Sequence, residues 1–246
     1  MNSLMRDEAS SAADQVRQLL SQDLDQYVAV GEILRQKPPH ACVTIARGSS
    51  DHAASYFAYL VGVRIGQLVT SVPMSLINHY KAPLQMRGML ALAISQSGKS
   101  ADLIDAMLRL REGGALTLAL VNDTSSPLFR SVEKAFSIHA GPEYSVAATK
   151  SFIASLVASA RLVAHWEKNQ ELIQAIQNLP EVLDLACQQD WSSAVETLVK
   201  SEKLMVVGRG LGLSIAAEAA LKLKETCAVQ AEAFSAAEIK HGPMAL

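Results

Sequence analysis

Between residues 8 and 36 apolar side chains recur at helical spacing, with Val16, Leu19, Leu20, Leu24, Tyr27, Val30, Ile33 and Leu34 on one stripe. The stripe stops at Lys37-Pro-Pro, so residues 1–40 read as a helical lead-in. Beyond it the period changes. Five short apolar runs, Cys42 to Ala46, Leu68 to Val72, Leu90 to Ile94, Leu116 to Val121 and Ala135 to Ile138, alternate with helical stretches. Runs apolar on both faces need cover on both faces, which predicts an α/β domain over residues 41–166 with a parallel sheet between helices. Ligands of such sheets collect beyond the carboxyl ends of the strands. Residues 167–200 predict two helical stretches broken near Pro180, a connector anchored by Ile173, Ile176, Leu183, Leu185 and Trp191.

The pattern then begins again. Val43-Thr-Ile-Ala-Arg-Gly-Ser-Ser50 and Met205-Val-Val-Gly-Arg-Gly-Leu-Gly212 each set an apolar run and an Arg-Gly turn ahead of an Ala-rich helix. The duplication predicts two tandem domains, each a mainly five-stranded parallel sheet with helices on both faces, a flavodoxin-like three-layer sandwich. The second, residues 201–246, is expected to be incomplete at Leu246, since a full copy needs roughly 80 further residues.

Composition narrows the partners. The 246 residues are 50% hydrophobic and 19% charged, enough to bury a large core, and the net charge of −2 supplies no basic field for nucleic acid or a membrane surface. No run approaches the ~18 apolar residues of a membrane span. Cys42, Cys187 and Cys227 are odd in number and lack metal-site spacing, which predicts reduced core thiols in a cytoplasmic protein. His40, His52, His79, His139 and His165 are scattered without acidic or cysteine partners at ligand spacing, so they read as core-edge or surface groups, with no metal expected.

The chemistry gathers after the runs. Arg47-Gly-Ser-Ser-Asp51 follows the first, and Ser95-Gln-Ser-Gly-Lys-Ser100 follows the third, ahead of a helix from Ala101 to Arg111. Glycine, exposed amides, helix dipoles and the hydroxyls of Ser49, Ser50, Ser95, Ser97 and Ser100 make a phosphate cradle, whereas each serine alone is ordinarily a cap. Gly141 to Ser151 leads from the fifth run into a helix over residues 147–166, at the same end of the sheet. In the helix from Ser214 to Glu225, Glu218, Lys222 and Glu225 stand at i, i+4 and i+7, so two carboxylates and an ammonium share one face. His241 follows, just before a Gly-Pro turn, and can exchange a proton near neutral pH.

Ile94-Ser-Gln-Ser-Gly-Lys-Ser-Ala-Asp102, Glu143 to Phe152, Ala220-Leu-Lys-Leu-Lys-Glu225 and Glu238 to Leu246, in that order, resemble motifs of the sugar isomerase (SIS) family. Within it the chain is similar to the isomerase half of glutamine-fructose-6-phosphate aminotransferases and to stand-alone glucosamine-6-phosphate deaminases. The resemblance implies that Ser49, Ser50, Ser95, Gln96, Ser97 and Ser100 hold a sugar phosphate and that Val146 offers a backbone contact. It implies Glu225 as the carboxylate shuttling a proton between C1 and C2, with Lys222 and Glu218 beside it. His241 is then the ring-opening histidine, reaching the other subunit's site in a homodimer. Ser100 stands where relatives often carry threonine, and Lys99 where the synthase has an acid, which adds positive charge near the phosphate.

That chemistry needs no cofactor. One carboxylate over both carbons moves the proton, and a cation stabilises the enediol or enolamine. Met1 is followed by Asn2, with only a short helix ahead of the first strand, so no glutaminase domain with an N-terminal cysteine is expected. The expected activity is therefore release of ammonia from glucosamine 6-phosphate to give fructose 6-phosphate. The rivals are a related enzyme on a fructosamine 6-phosphate or galactosamine 6-phosphate, an aminotransferase-type isomerase, and a non-catalytic phosphosugar sensor.

Overall fold

The computed structural model describes residues 3–242. Pro243 to Leu246, which close the last motif, and the expected break of the second domain at Leu246 lie outside the described residues. Three helices open the chain, α1 (Leu4–Ser10), α2 (Ala12–Ser21) and α3 (Leu24–Gln36), in place of one continuous stripe. The Ser11 hydroxyl turns back to the Glu8 carbonyl, 2.7 Å away, and separates α1 from α2. Asp23, at φ 56°, separates α2 from α3.

The central unit alternates β1 (Cys42–Ile45), α4 (Ser49–Arg64), β2 (Val69–Ser71), α5 (Met74–Asn78), β3 (Leu90–Ser95), α6 (Ala101–Glu112), β4 (Leu116–Val121), α7 (Pro127–Ser131), β5 (Lys134–Ser137) and α8 (Lys150–Glu167). The five strands form a sheet in the order β2-β1-β3-β4-β5, and every pair is parallel. Each predicted run is a strand. Alternate residues sort to opposite faces, as the two-residue period of a strand requires. Leu90, Leu92, Ile94, Leu118, Leu120 and Phe136 pack with Tyr27, Val30, Leu34, Phe57 and Val163 from α3, α4 and α8. Val43, Ile45, Ala91, Ala93, Ala119 and Val121 pack with Ile77, Leu103, Met107, Leu110 and Leu128 from α5, α6 and α7. The lead-in thus belongs to the core of this unit: a Cβ on Gly31 of α3 would stand 2.5 Å from the His165 carbonyl oxygen of α8.

The connector holds three helices, α9 (Gln170–Gln177), α10 (Leu179–Cys187) and α11 (Ser192–Leu198), with Pro180 in the first turn of α10. Ile176 is buried, and Ile173 and Leu183 pack on the core. Leu185 and Trp191 are not anchors, being 59% and 67% exposed. Leu185 follows Leu183 by two positions, which turns it to the opposite side of α10, and Trp191 precedes α11 outside any helical stripe. Cys42 is buried, but Cys187 and Cys227 are exposed, so only the strand cysteine is a core thiol. Burial pushes the Cys42 thiol up to about 12 and leaves it protonated.

A second strand–helix–strand unit follows: β6 (Lys203–Gly208), α12 (Leu211–Cys227) and β7 (Gln230–Ser235), with β6 and β7 paired in parallel. It docks on the first unit through α12 against α4. Among the described residues this second sheet has two strands, and no helix is long and apolar enough to cross a membrane.

Candidate active site

The site lies at the carboxyl ends of β1 and β3. Past β1 the chain turns at Gly48, φ 54° and ψ −135°, a conformation open to glycine alone, and enters α4 with Ser49 and Ser50 in its first turn. Past β3 the turn is fixed from inside. Ser95 is 8% exposed and its Oγ accepts the Gly98 N–H at 3.0 Å. Gly98 has φ 61°, and a Cβ there would fall 2.2 Å from Ser126 Oγ, so only glycine fits. Ser97 Oγ accepts the Lys99 N–H at 3.3 Å. Ser100 is the N-cap of α6, yet its exposed side chain makes no capping bond and stays available. An Arg47–Asp102 ion pair ties the two loops together.

Gln96, half-buried, lines a cleft of about 490 Å³ with Asn122 and His139. Lys99 lies 2.9 Å from Asp123 and holds that carboxyl at about 2, so its charge is matched by Asp123 rather than added to the cradle.

The loop carrying Val146 is held by two carboxylates. Glu143 accepts the backbone N–H groups of Thr149 and Ser151 at 2.9 and 3.2 Å, which satisfies the start of α8. Glu8, 6% exposed, reaches over from α1 and accepts the Tyr144 N–H, the Ser145 N–H at 3.1 Å and the Ser145 hydroxyl. Burial pushes the Glu8 carboxyl up, but these donors outweigh it and the group ends below its ordinary value. Val146 is left fully exposed at the tip. Sequence reading missed Glu8, which carries no motif and lies more than a hundred residues from the loop it holds.

The charged face of α12 closes the site. Lys222 Nζ donates to Glu225 Oε2 at 2.6 Å and to Ser49 Oγ at 3.3 Å. It also stands 3.2 Å from Glu218 Oε1, near enough for an ion pair but off the line of a hydrogen bond. Glu218 Oε2 lies 2.7 Å from His52 Nδ1 of α4. Burial pushes the Glu218 carboxyl up, and His52, Ser49 and Lys222 together bring it below its ordinary value. His52, expected as a core-edge or surface group, is therefore part of the cluster. The overlooked signal was its spacing, since Ser49 and His52 at i and i+3 share one face of α4. Glu225 is the more open of the two carboxylates, its side chain 36% exposed against 7% for Glu218. The cluster thus sets a buried, paired acid and an open one on a shared ammonium, groups of a kind that can exchange protons.

His241 ends a short 3₁₀ turn, Ile239–His241, on the surface. Among the described residues no hydrogen bond or ion pair links it to Lys222, Glu218 or Glu225. No group of three or more His, Cys, Asp or Glu side chains suited to a metal occurs among the described residues.

Compared with known proteins, residues 35–164 match the SIS domain family, over half of the chain. The chain belongs to the SIS domain family. This SIS protein is 35% identical over 214 residues to a glutamine–fructose-6-phosphate aminotransferase [isomerizing] of Thermus thermophilus, covering 82% of the chain. It spans 35% of that relative's length. Among solved structures, a candidate phosphosugar isomerase of Silicibacter pomeroyi is 40% identical with a TM-score of 0.95, over 98% of this chain and 74% of that one. The C-terminal domain of glucosamine-fructose-6-phosphate aminotransferase from Francisella tularensis is 26% identical with a TM-score of 0.83, over 100% and 73% of the two chains. The SIS match spans the five-stranded unit with its serine loops, while α12 lies beyond its end.

Proposed function

We propose that this SIS protein moves a proton between C1 and C2 of a hexose 6-phosphate, and that its reaction converts glucosamine 6-phosphate to fructose 6-phosphate and ammonia. One observation carries the reading. Lys222 joins Glu225 to Ser49, which sets an open carboxylate one residue's reach from the phosphate cradle. A sugar anchored by its phosphate on Ser49, Ser50, Ser95, Gln96, Ser97 and Ser100, with the Val146 backbone beside it, presents its reacting end to α12.

In the open-chain amino sugar, Glu225 takes the C2 proton and the electron pair forms the C1–C2 double bond of an enolamine. Lys222 stabilises the charge that develops on the C1 oxygen. Glu225 returns the proton to C1, leaving an imine at C2. Water adds to it and ammonia leaves. Glu218 holds Lys222 in place. His241 opens the ring, acting on the site of a second copy in a cytoplasmic homodimer. The same reading takes β6–α12–β7 as the opening of a second domain of the same kind as the first.

The test is to incubate the purified protein and a Glu225→Gln variant with glucosamine 6-phosphate and to measure ammonia and fructose 6-phosphate together. Equal amounts from the wild type and none from the variant support the reaction. Neither product, with the sugar phosphate still bound, overturns it in favour of another phosphosugar amine or of a sensor.

A further inference from the structure

The His52–Glu218 contact joins two helices from separate strand–helix–strand units at the edge of the reacting cluster. Glu218 has two oxygens with different duties. Oε2 meets His52 Nδ1 at 2.7 Å, and Oε1 faces the Lys222 ammonium at 3.2 Å with no hydrogen-bond donor of its own. A carboxylate held through one oxygen has its rotation restricted, which aims the other. With Glu218 side chain 7% and Lys222 side chain 16% exposed, water has little access to replace either contact. Lys222 is in turn held between Glu218, Glu225 and Ser49, and its flexible stem would otherwise sample many rotamers.

We propose that His52 is a positioning residue for proton transfer: by donating its Nδ1–H to Glu218 it fixes the carboxylate that orients Lys222 against Glu225. His52 touches neither Lys222 nor Glu225 in this chain of contacts, and acts through Glu218 alone. The inference rests on the proton-transfer reading given above and adds to it a group that carries no sequence motif. A donor at Nδ1 requires the neutral ring to carry its proton there, or the ring to be charged. Asparagine can place an amide N–H near the position of Nδ1, whereas alanine places nothing.

The experiment compares His52→Ala with His52→Asn. Exchange of solvent deuterium into C1 of fructose 6-phosphate reads proton transfer, and kcat and KM for glucosamine 6-phosphate are measured alongside. Partners that orient metal-ligating side chains typically change activity by about 10- to 100-fold, and the same scale is expected for a partner that orients Glu218. His52→Ala is expected to lower kcat and the exchange rate by that amount with KM little changed, and His52→Asn to recover most of the loss. Equal rates in all three proteins overturn the proposal, as does an equal loss in both variants that tracks a fall in melting temperature. If the wild type exchanges no deuterium, the proton-transfer reading is what has failed. Positioning is then read without substrate from the ¹⁵N resonance of Lys222 Nζ. A signal sharp in the wild type and His52→Asn but broadened in His52→Ala supports the role, and identical spectra overturn it.

Discussion

Two Arg-Gly turns in this molecule share a backbone and differ in everything attached to it. Gly48 has φ 54° and ψ −135° at the start of α4, and Gly210 has φ 58° and ψ −129° at the start of α12. Each follows a strand that pairs in parallel with the next one. The side chains part company at once. Ser49, Ser50 and His52 after the first turn become Leu211, Gly212 and Ser214 after the second. Conversely Glu218, Lys222 and Glu225 of α12 stand where α4 carries Tyr56, Leu60 and Val63. One helix presents its first turns and the other its later ones. Because Ser49 meets Lys222 while His52 meets Glu218, the pairs run in opposite order along the two helices, which therefore cross antiparallel. A single antiparallel crossing thus brings the serine-bearing first turn of α4 onto the Glu218, Lys222 and Glu225 face of α12. What the two elements share is a backbone turn, and under the proposed function the chemistry is divided between them.

The sharpest test of that division is to remove the acid–base half alone. Glu225→Gln is expected to slow C1–C2 proton exchange by about 10²- to 10⁴-fold while leaving phosphosugar affinity near wild type. Loss of binding instead would mean that the two halves are not separable. Next comes a transplant. Writing the second turn into the first, Ser49→Leu with Ser50→Gly, should weaken sugar-phosphate binding by roughly 10- to 100-fold, the scale of hydrogen bonds to a charged group. The reverse pair, Leu211→Ser with Gly212→Ser, should leave affinity unchanged by isothermal titration. Binding gained at the second turn would break the comparison.

The two glycines offer an internal control of smaller size. A Cβ would meet nothing within 4 Å at either Gly48 or Gly210, so alanine there is opposed by backbone conformation alone. Both substitutions should cost about 1–3 kcal/mol of stability in denaturant titrations, and by similar amounts, if the turns are equivalent. Only Gly48→Ala should also lower phosphosugar affinity.

The contact between α4 and α12 should be acid-sensitive. Glu218 is held below the ordinary value of 4.5, so the unfolded chain binds its proton more readily than the folded one. Its contribution is fully present above the ordinary value and is lost as pH falls through the lower folded value. Glu218→Gln should flatten the pH dependence of melting temperature in that window. A slope unchanged in the variant would place the acid sensitivity elsewhere.

Much of this was written in local pattern. The strands of the first sheet announce themselves because burial on both faces forces continuous apolar runs, and the serine loops because hydroxyls and glycine cluster at strand ends. The Glu218, Lys222 and Glu225 face was legible from helical spacing, and the contacts among them follow it. What escaped was tertiary. His52 looked like an isolated histidine because its partner lies 166 residues away. Lys99 looked like an added charge because Asp123 is brought to it only by the β3–β4 pairing. The lead-in looked like an appendage, although Tyr27, Val30 and Leu34 complete the core of the sheet.

The smallest predicted effect concerns how each half of the site is held. Glu8 reaches from the lead-in helix to accept two backbone N–H groups and a hydroxyl of the Val146 loop, while the α12 face is held from α4 by His52 and Ser49. Glutamine at position 8 keeps the shape of the side chain but replaces one acceptor oxygen with a donor that opposes the loop amides. One backbone hydrogen bond to a charged group, worth roughly 1.5–3 kcal/mol, is then lost. Amide hydrogen exchange at Tyr144 and Ser145 should therefore speed up by at least about 10-fold in Glu8→Gln, with α12 amides unaffected. Proton exchange at saturating substrate should stay near wild type, and phosphosugar affinity should fall only a few-fold, because the loop is loosened and the acid–base cluster is untouched. If the loop amides exchange as slowly as before, Glu143 and the start of α8 suffice to hold it, and the lead-in helix is packing alone.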